Sequence, residues 1–220
     1  ATLFNANFFV VTDEYNVYKC IDNNNGGQST TKPTGTGTTI ISTADSYKWK
    51  YMYTVSPADV LKFVSTDFIP VKKIITNPGS TDPYYNQYLV EQAAVDGKIE
   101  HITVTNNGTS YASAPTVTIT GDGTGATADA VYDAGTNTVT GVTVTDGGSG
   151  YTFASVSFSG GGGSAAAATA IISPKGGHGA NAEEELGAFY AMMNVRLEYA
   201  DGTGDFPVDN DYRRITLVRD

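Results

Sequence analysis

The stretch Ile99-Glu-His-Ile-Thr-Val-Thr-Asn-Asn-Gly-Thr-Ser-Tyr111 returns later in the chain as Val139-Thr-Gly-Val-Thr-Val-Thr-Asp-Gly-Gly-Ser-Gly-Tyr151. In both copies apolar residues alternate with small polar ones, which is the period of a half-buried β-strand. Each alternation ends in glycine, which permits the positive φ that a chain reversal requires. A repeat of about 40 residues is typical of stacked supersecondary units. The pattern therefore predicts a pair of related β units.

Each copy continues with two further strand-like segments. The second strands are predicted at 115–121 and 155–160, and third strands of small residues at 126–131 and 165–172. Small-residue strands suit the close approach of two backbones. We expect the copies to pack by pseudo-symmetry, with Tyr111 and Tyr151 in equivalent places. The predicted shared core contains Val104, Val117, Val144 and Val156. We interpret the repeat as a scaffold, because strand packing already uses the chemistry of its residues.

The composition favours a β-rich structural protein. Of 220 residues, 40% are hydrophobic and only 16% are charged, with 25 glycines and 14 tyrosines. The formal net charge is -10, which disfavours binding to nucleic-acid phosphates or to an anionic membrane surface. We expect neither as a partner. The single cysteine, Cys20, excludes a disulfide framework within the chain and is expected to be a small buried hydrophobe.

An aromatic strand precedes the repeat. Residues 47–55 alternate strictly, which predicts that Tyr47, Trp49, Tyr51, Tyr53 and Val55 share one face. Aromatic rings on one strand face are able to stack on bases or sugars. They also dominate burial in protein cores and interfaces, and we favour that interpretation.

Other segments of the flanks predict a hairpin, a short helix and two loops. The hairpin is expected from strands at 8–11 and 17–21. Ser56 is a candidate N-cap, followed by Pro57 at the first helical position. The polar loop 22–39 is expected to be exposed and to touch a partner. Another loop is predicted at 173–180, with Asn181 capping a turn through Glu183 to Glu185.

The C-terminal part of the chain predicts strands and an acidic loop. Residues 193–199 alternate clearly, whereas the strand from Tyr212 to Arg219 has an ambiguous inner face. The loop 201–211 carries several aspartates but lacks EF-hand spacing, so a solvated turn is favoured over a Ca²⁺ site.

The sequence contains no recognisable catalytic constellation. Phosphate-binding and nucleophile-elbow spacings are missing. His101 and His178 are far apart in the sequence, and the chain has only one cysteine that could serve as a further ligand. A zinc site is therefore not expected. We interpret His101 as a surface strand residue and His178 as a solvated loop residue. We therefore expect no cofactor, no metal and no enzymatic activity.

Four segments of the flanks, in this order and spacing, resemble the small wedge subunit of T-even-like phage baseplates. They are Val17–Asp22, Ser46–Tyr53, Phe68–Val71 and Asp205–Val218. The resemblance implies a β-sandwich that forms a dimer within each wedge of a contractile tail and has no enzymatic role. The repeat departs from the T-even form and is similar to glycine- and threonine-rich repeats inserted into many phage structural proteins.

Together these observations predict a mainly β protein with few short helices. Residues 1–96 and 173–220 are expected to form a discontinuous β-sandwich, and 97–172 an inserted β domain of two tandem repeats. The predicted function is a structural baseplate wedge component in the virion, with other wedge subunits as partners. The alternative is a receptor- or glycan-binding fibre or adhesin module, and a hydrolase is the weakest candidate. Candidate structural or interface residues are Tyr47, Trp49, Tyr51, Tyr111, Tyr151, Tyr212 and Arg214.

Overall fold

The computed structural model describes residues 8–191 and 215–219. These residues form a mainly β structure with few helices, which confirms the predicted class. The strands before the repeat are β1 (Phe9–Val11), β2 (Asn16–Asp22), β3 (Ile41–Ser42), β4 (Lys48–Thr54) and β5 (Phe68–Val71). The repeat contains β6 (Ile99–Thr109), β7 (Thr116–Gly121), β8 (Thr124–Asp133), β9 (Thr138–Ser149), β10 (Ala154–Ser159) and β11 (Ser164–Ile172). The remaining elements are β12 (Phe189–Ala191), β13 (Ile215–Arg219), α1 (Pro57–Phe63), α2 (Tyr85–Ala93) and α3 (Ala182–Glu185).

The flanking segments pack as two antiparallel sheets. One has the strand order β1-β2-β4-β3 and the other β12-β13-β5. Between them lies a core to which β2 contributes Val17, β5 contributes Ile69 and Val71, and β13 contributes Val218. Leu186 at the end of α3 belongs to the same core. The two sheets therefore enclose a common apolar layer, as in a β-sandwich.

A β-bulge divides the aromatic strand between two cores. Val17 pairs with Tyr53 and Tyr18 with Tyr51, so Met52 is an extra residue on β4. A bulge of this kind interrupts the alternation of side chains along the strand. Tyr47, Trp49 and Tyr51 pack on one side with Tyr18, Cys20 and Val90. The prediction that Tyr53 and Val55 share their face is wrong, because both belong to the sandwich core.

The two copies of the repeat exchange strands. The first strand of copy one, β6, pairs with the last strand of copy two, β11. The first strand of copy two, β9, pairs with the last strand of copy one, β8. The two middle strands, β7 and β10, pair with each other. Every described ladder in the unit except β10–β11 therefore joins one copy to the other.

The exchange follows a pseudo-twofold axis that passes between the middle strands. Ser157 lies opposite Thr118, and the pairs Val156–Ile119 and Phe158–Val117 lie symmetrically on either side. The outer ladders share their irregularities too. Register shifts occur between Thr127 and Ala128 on β8 and between Ala167 and Ala168 on β11. Equivalent bulges in both copies indicate that the sequence repeat encodes ladder geometry as well as alternation.

A single apolar cluster fills the repeat unit. Its buried members are Ile99, Ile102, Val142 and Tyr151, which come from both copies. The four predicted core valines pack against this cluster while remaining half-buried: Val104, Val117, Val144 and Val156. A shared core of this kind gives neither copy a complete apolar interior of its own.

Tyr111 and Tyr151 are held on glycine surfaces supplied by the opposite copy. A Cβ added to Gly161 or Gly163 would meet the ring of Tyr111 within 3.0 Å. A Cβ added to Gly123 would likewise meet the ring of Tyr151. Gly163 and Gly123 have no positive φ, so their requirement for glycine comes from the space that the ring and a neighbouring carbonyl oxygen occupy, Thr109 O and Ser149 O respectively, rather than from backbone conformation.

The chain enters and leaves the repeat unit at neighbouring points. Ser173 N donates to Lys98 O at 2.8 Å, and Lys98 N donates to Ser173 Oγ at 2.9 Å. Among the described strands, those of residues 99–172 form ladders only with one another. This arrangement is the one expected where a domain is inserted at adjacent chain ends. The division into 1–96 with 173–220 and 97–172 stays a prediction.

Several local predictions are confirmed, one helix was missed and one prediction is wrong. Thr12 N donates to Asn16 O at 2.9 Å to close the β1–β2 hairpin, and Ser56 Oγ accepts from Asp59 N at 3.2 Å to cap α1. Helix α2 was not predicted, because its buried face carries Gln87 and Glu91 beside Val90 rather than an apolar stripe. His178 is 4% exposed, so its interpretation as a solvated loop residue is wrong. The predicted strand 193–199 and acidic loop 201–211 lie outside the described residues.

We predict that Gly163→Ala and Gly123→Ala each destabilise the repeat unit by about 3 kcal/mol, because the new methyl overlaps a tyrosine ring that the core holds in place. Thermal and urea unfolding of the full chain would measure this. Gly141→Ala is the matched control, since its Cβ meets only Val131 side-chain carbons at 3.7 Å. It should leave stability unchanged or slightly raised. Equal effects at all three glycines would contradict the ring-packing account.

We predict that replacing residues 97–172 by a short Gly/Ser linker leaves the sandwich folded, because the entry and exit points are already hydrogen-bonded to each other. Circular dichroism and a cooperative melting transition would report this. As a control, removal of 139–172 alone should abolish folding of the remaining repeat copy, which then lacks its exchanged strands. Unfolding of the linker variant would show that the sandwich depends on the repeat.

Candidate functional site

A buried carboxylate joins the repeat unit to the sandwich. Asp22, at the end of β2, is 6% exposed. Its Oδ2 accepts a hydrogen bond from Thr103 Oγ1 on β6 and lies 3.5 Å from His101 Nε2. Its Oδ1 accepts from Asn24 N at 2.8 Å. Alternation on β6 places His101 and Thr103 on the same face, so one carboxylate fixes two positions of the repeat against the sandwich.

The environment of His101 favours its neutral form. Burial lowers the pKa of His101, while the Asp22 carboxylate opposes this and Lys48 adds to the lowering. A neutral imidazole beside a carboxylate still offers an N–H donor. The Asp22 junction therefore does not need a charged histidine.

An open cleft of about 560 Å³ lies beside this junction. Asp22, Asn23 and Asn25 form its sandwich wall. The repeat supplies Thr103 and Thr169, which are register partners on β6 and β11. The cleft is large enough for a side chain or a small ligand, and it lies at the boundary between the predicted domains.

A second buried cluster holds the loop after the repeat against β2. Glu185 Oε1 lies 3.2 Å from Lys19 Nζ, and both side chains are 6% exposed. The same oxygen accepts from His178 Nδ1, while Oε2 accepts from Gly179 N at 2.7 Å. Burial by itself raises the pKa of Glu185, but the hydrogen bond and proximity of His178 and the Lys19 ammonium outweigh it, so the pKa is lowered.

Lys50 lies opposite Lys19 in the β2–β4 ladder and is also buried. Its Nζ donates to Thr38 O at 2.6 Å. Burial lowers the pKa of Lys50, while Glu100 and Glu185 oppose the shift and Lys98 adds to it. Two ammonium groups at adjacent positions are costly unless carboxylates compensate them, and Glu185 on one side and Glu100 on the other do so.

A small cavity of about 70 Å³ lies between β4, β5, α1 and α2. Among the described residues, Tyr53 Oη and Gln87 Oε1 line it, are buried and have no hydrogen-bond partner. One is a donor and the other an acceptor. Burial raises the pKa of Tyr53, so the hydroxyl keeps its proton. The cavity is matched to one or more water molecules that bridge the two groups.

The predicted aromatic site residues lie inside the protein. Tyr47, Trp49, Tyr51, Tyr111 and Tyr151 are between 0% and 6% exposed. The rings of Tyr47 and Trp49 stack with centroids 5.4 Å apart. The structure brings the first three together in one core and places the last two in the repeat unit, so the five do not form one site. Tyr212 and Arg214 lie outside the described residues.

Two further properties concern ions and membranes. No three histidine, cysteine or acidic side chains come close enough to hold a metal within the part of the chain that the structure describes. Over residues 8–191 and 215–219, no helix is both long and apolar enough to cross a bilayer.

Cys20 is buried, and burial raises its thiol pKa to about 12.

Comparison with known proteins gave no match to a family model, to a curated protein or to a solved structure.

Sequence reasoning did not identify Asp22, Glu185 or the role of His178. Asp22 was assigned to the start of a polar loop, and Glu185 was one of three consecutive glutamates. Which of the three glutamate side chains is buried depends on the helical turn of α3, which the sequence alone did not predict in that detail. The signal that was present is the glycine content of residues 176–179, whose three glycines all have positive φ and let the loop fold back on β2.

We predict that Glu185→Gln destabilises the protein by about 3 kcal/mol, because it leaves the buried Lys19 ammonium without this carboxylate. Glu184→Gln is the matched control: it lies on the same turn but is exposed, and should change stability by less than about 0.5 kcal/mol. Chemical denaturation of both variants would measure the difference. Similar small effects would show that the cluster contributes little to holding the loop.

Proposed function

We propose that this chain is a structural component of a phage contractile-tail baseplate wedge and acts by protein–protein assembly. The proposal rests on one observation: the buried charged side chains of this protein hold separate segments of the chain together. Asp22 holds the repeat unit on the sandwich, and Glu185 holds the loop of residues 173–187 on β2. Buried charges used in this way fix the relative positions of chain segments, which is what a rigid connector between neighbouring subunits requires.

The assignment to a baseplate wedge is supported by the resemblance of the flanking segments. Val17–Asp22 and Ser46–Tyr53 cover most of β2 and β4, the two central strands of one sandwich sheet. The resemblance extends the proposal to a homodimer, to other wedge subunits as partners and to the virion as location. The net charge of -10 supports partners other than nucleic acids or anionic membranes.

In this proposal the chain is not an enzyme and needs no cofactor. Assembly proteins act through interfaces, whose specificity comes from shape and charge over an area rather than from a reactive group. The alternative of a glycan-binding module depended on exposed aromatic rings. The five candidate rings are buried, so they are not available to stack on sugars, and we do not propose that function.

The proposal is tested by locating the chain in purified tails. A tagged full-length chain should co-purify with contractile tails, and a cryo-electron microscopy map should place its density in the baseplate wedge. Mass photometry of the isolated chain should give a dimer. Tails that lack the chain, or density confined to fibres, would contradict the function, whereas a monomer in solution would contradict only the dimer.

A further inference from the structure

The pseudo-symmetry of the repeat unit is broken at one exposed tip. After Tyr111 the first copy continues with Ala112, Ser113 and Ala114, which are small and exposed. After Tyr151 the second copy has Thr152 and Phe153 instead. The Phe153 side chain is 62% exposed. The unit therefore presents a large aromatic group at one of two otherwise equivalent places.

A carboxylate holds this tip rigid. Asp122 Oδ1 accepts hydrogen bonds from Thr152 N at 2.9 Å and Phe153 N at 3.1 Å, and Oδ2 accepts from Thr152 Oγ1 at 2.5 Å. The Thr152 hydroxyl, followed by the two backbone N–H groups, lowers the pKa of Asp122 to about 2. At the other tip, Ala112 N donates to Gly161 O at 2.7 Å.

The carboxylate clamp and the aromatic ring thus both occur at the tip after Tyr151, although Asp122 itself comes from the first copy. The first copy shows that this kind of tip closes without either group, using a backbone carbonyl and small side chains. Closure of the unit therefore does not explain Phe153. A rigid aromatic side chain that loses little conformational entropy on burial is the kind of group that anchors protein interfaces.

The charge of the repeat unit as a whole points to the nature of the partner. Residues 102–172 contain four aspartates, namely Asp122, Asp129, Asp133 and Asp146, and no lysine, arginine or glutamate. A surface with one sign of charge attracts the opposite sign and steers its approach. Thr152 also lines the 560 Å³ cleft at the boundary with the sandwich, so the anchor stands beside a concave surface.

We propose that Phe153 is the anchor of a docking surface for a partner protein that offers an apolar pocket within a lysine- or arginine-bearing face. The inference deepens the proposed assembly function and rests on it. A protein partner is favoured over a glycan because the Asp122 oxygens already accept three hydrogen bonds from their own tip. Three of the roughly four acceptor sites of this carboxylate are therefore already used, which leaves little capacity for sugar hydroxyls.

The test uses tail intermediates from cells that make the other tail proteins but not this chain. Purified full-length chain is added, and its incorporation into particles is measured by quantitative mass spectrometry. Phe153→Ser should lower the apparent affinity about thirtyfold, the effect of losing a hot-spot side chain worth about 2 kcal/mol. Raising the salt concentration should also weaken incorporation of the wild type.

Two control variants separate the anchor from general hydrophobicity. Leu61→Ser removes another exposed apolar side chain, 88% exposed on α1, and should incorporate like the wild type. The double variant Ser113→Phe with Phe153→Ser keeps the composition but moves the ring to the equivalent tip, and should stay defective. Melting curves should show every variant folded, since all the altered positions are exposed.

The possible failures are distinguishable. If the wild type incorporates and Phe153→Ser does so equally well, the docking surface is wrong while the assembly function stands. If the double variant incorporates like the wild type, the position of the ring is not specific and the proposal is again overturned. If Phe153→Ser loses only binding to a glycan array, the partner is a sugar and the protein proposal is wrong. If the wild type itself does not enter tails, the assembly function and this surface both fall.

Discussion

The repeat unit depends on the packing of Tyr111 and Tyr151 against glycine backbone from the opposite copy. Each ring occupies space in which a Cβ at Gly163 or Gly123 would lie within 3.0 Å of it. Because the glycines follow the middle strand of one copy and the tyrosine follows the first strand of the other, this contact forms only when both copies are present. Strand exchange has the same consequence, since first and last strands pair across the copies. Ring packing and ladder pairing thus both require the two copies together, and we expect the unit to fold as one cooperative whole.

Strand β2 connects this unit to the rest of the protein. Val17 belongs to the sandwich core, Tyr18 and Cys20 belong to the second core, and Lys19 pairs with Glu185. Asp22, at its end, receives the repeat. One seven-residue strand therefore contributes to both cores of the flanking segments and also contacts Glu185 and the repeat unit. Its two buried charges are expensive to desolvate, and they favour the single arrangement in which each finds its partner.

The sequence predicted those features that local periodicity encodes. Alternation located both copies of the repeat and their strands, and cap residues located α1, because these signals act within a few residues. It did not predict which strands pair: the exchange joins β6 to β11 across the length of the unit, and alternation is the same for either partner. It also missed the bulge at Met52, whose extra residue reverses the faces of Tyr53 and Val55. Helix α2 carries too few buried apolar side chains to show a stripe, and the candidate site was missed because burial of Asp22 and His178 arises from tertiary contacts.

The repeat also separates stability from recognition. Residues on its pseudo-twofold axis, such as Thr118 and Ser157, are constrained by the ladder and by their counterpart, so a change in one affects both halves. The tip at Phe153 is constrained differently, because the Asp122 side chain holds its backbone while its ring is mainly exposed to solvent. A change there alters the surface without altering the ladders or the glycine surfaces. The scaffold is internally symmetric, and only one tip, which a side chain holds in place, departs from that symmetry. The exposed residues at this tip can therefore change while the fold stays the same.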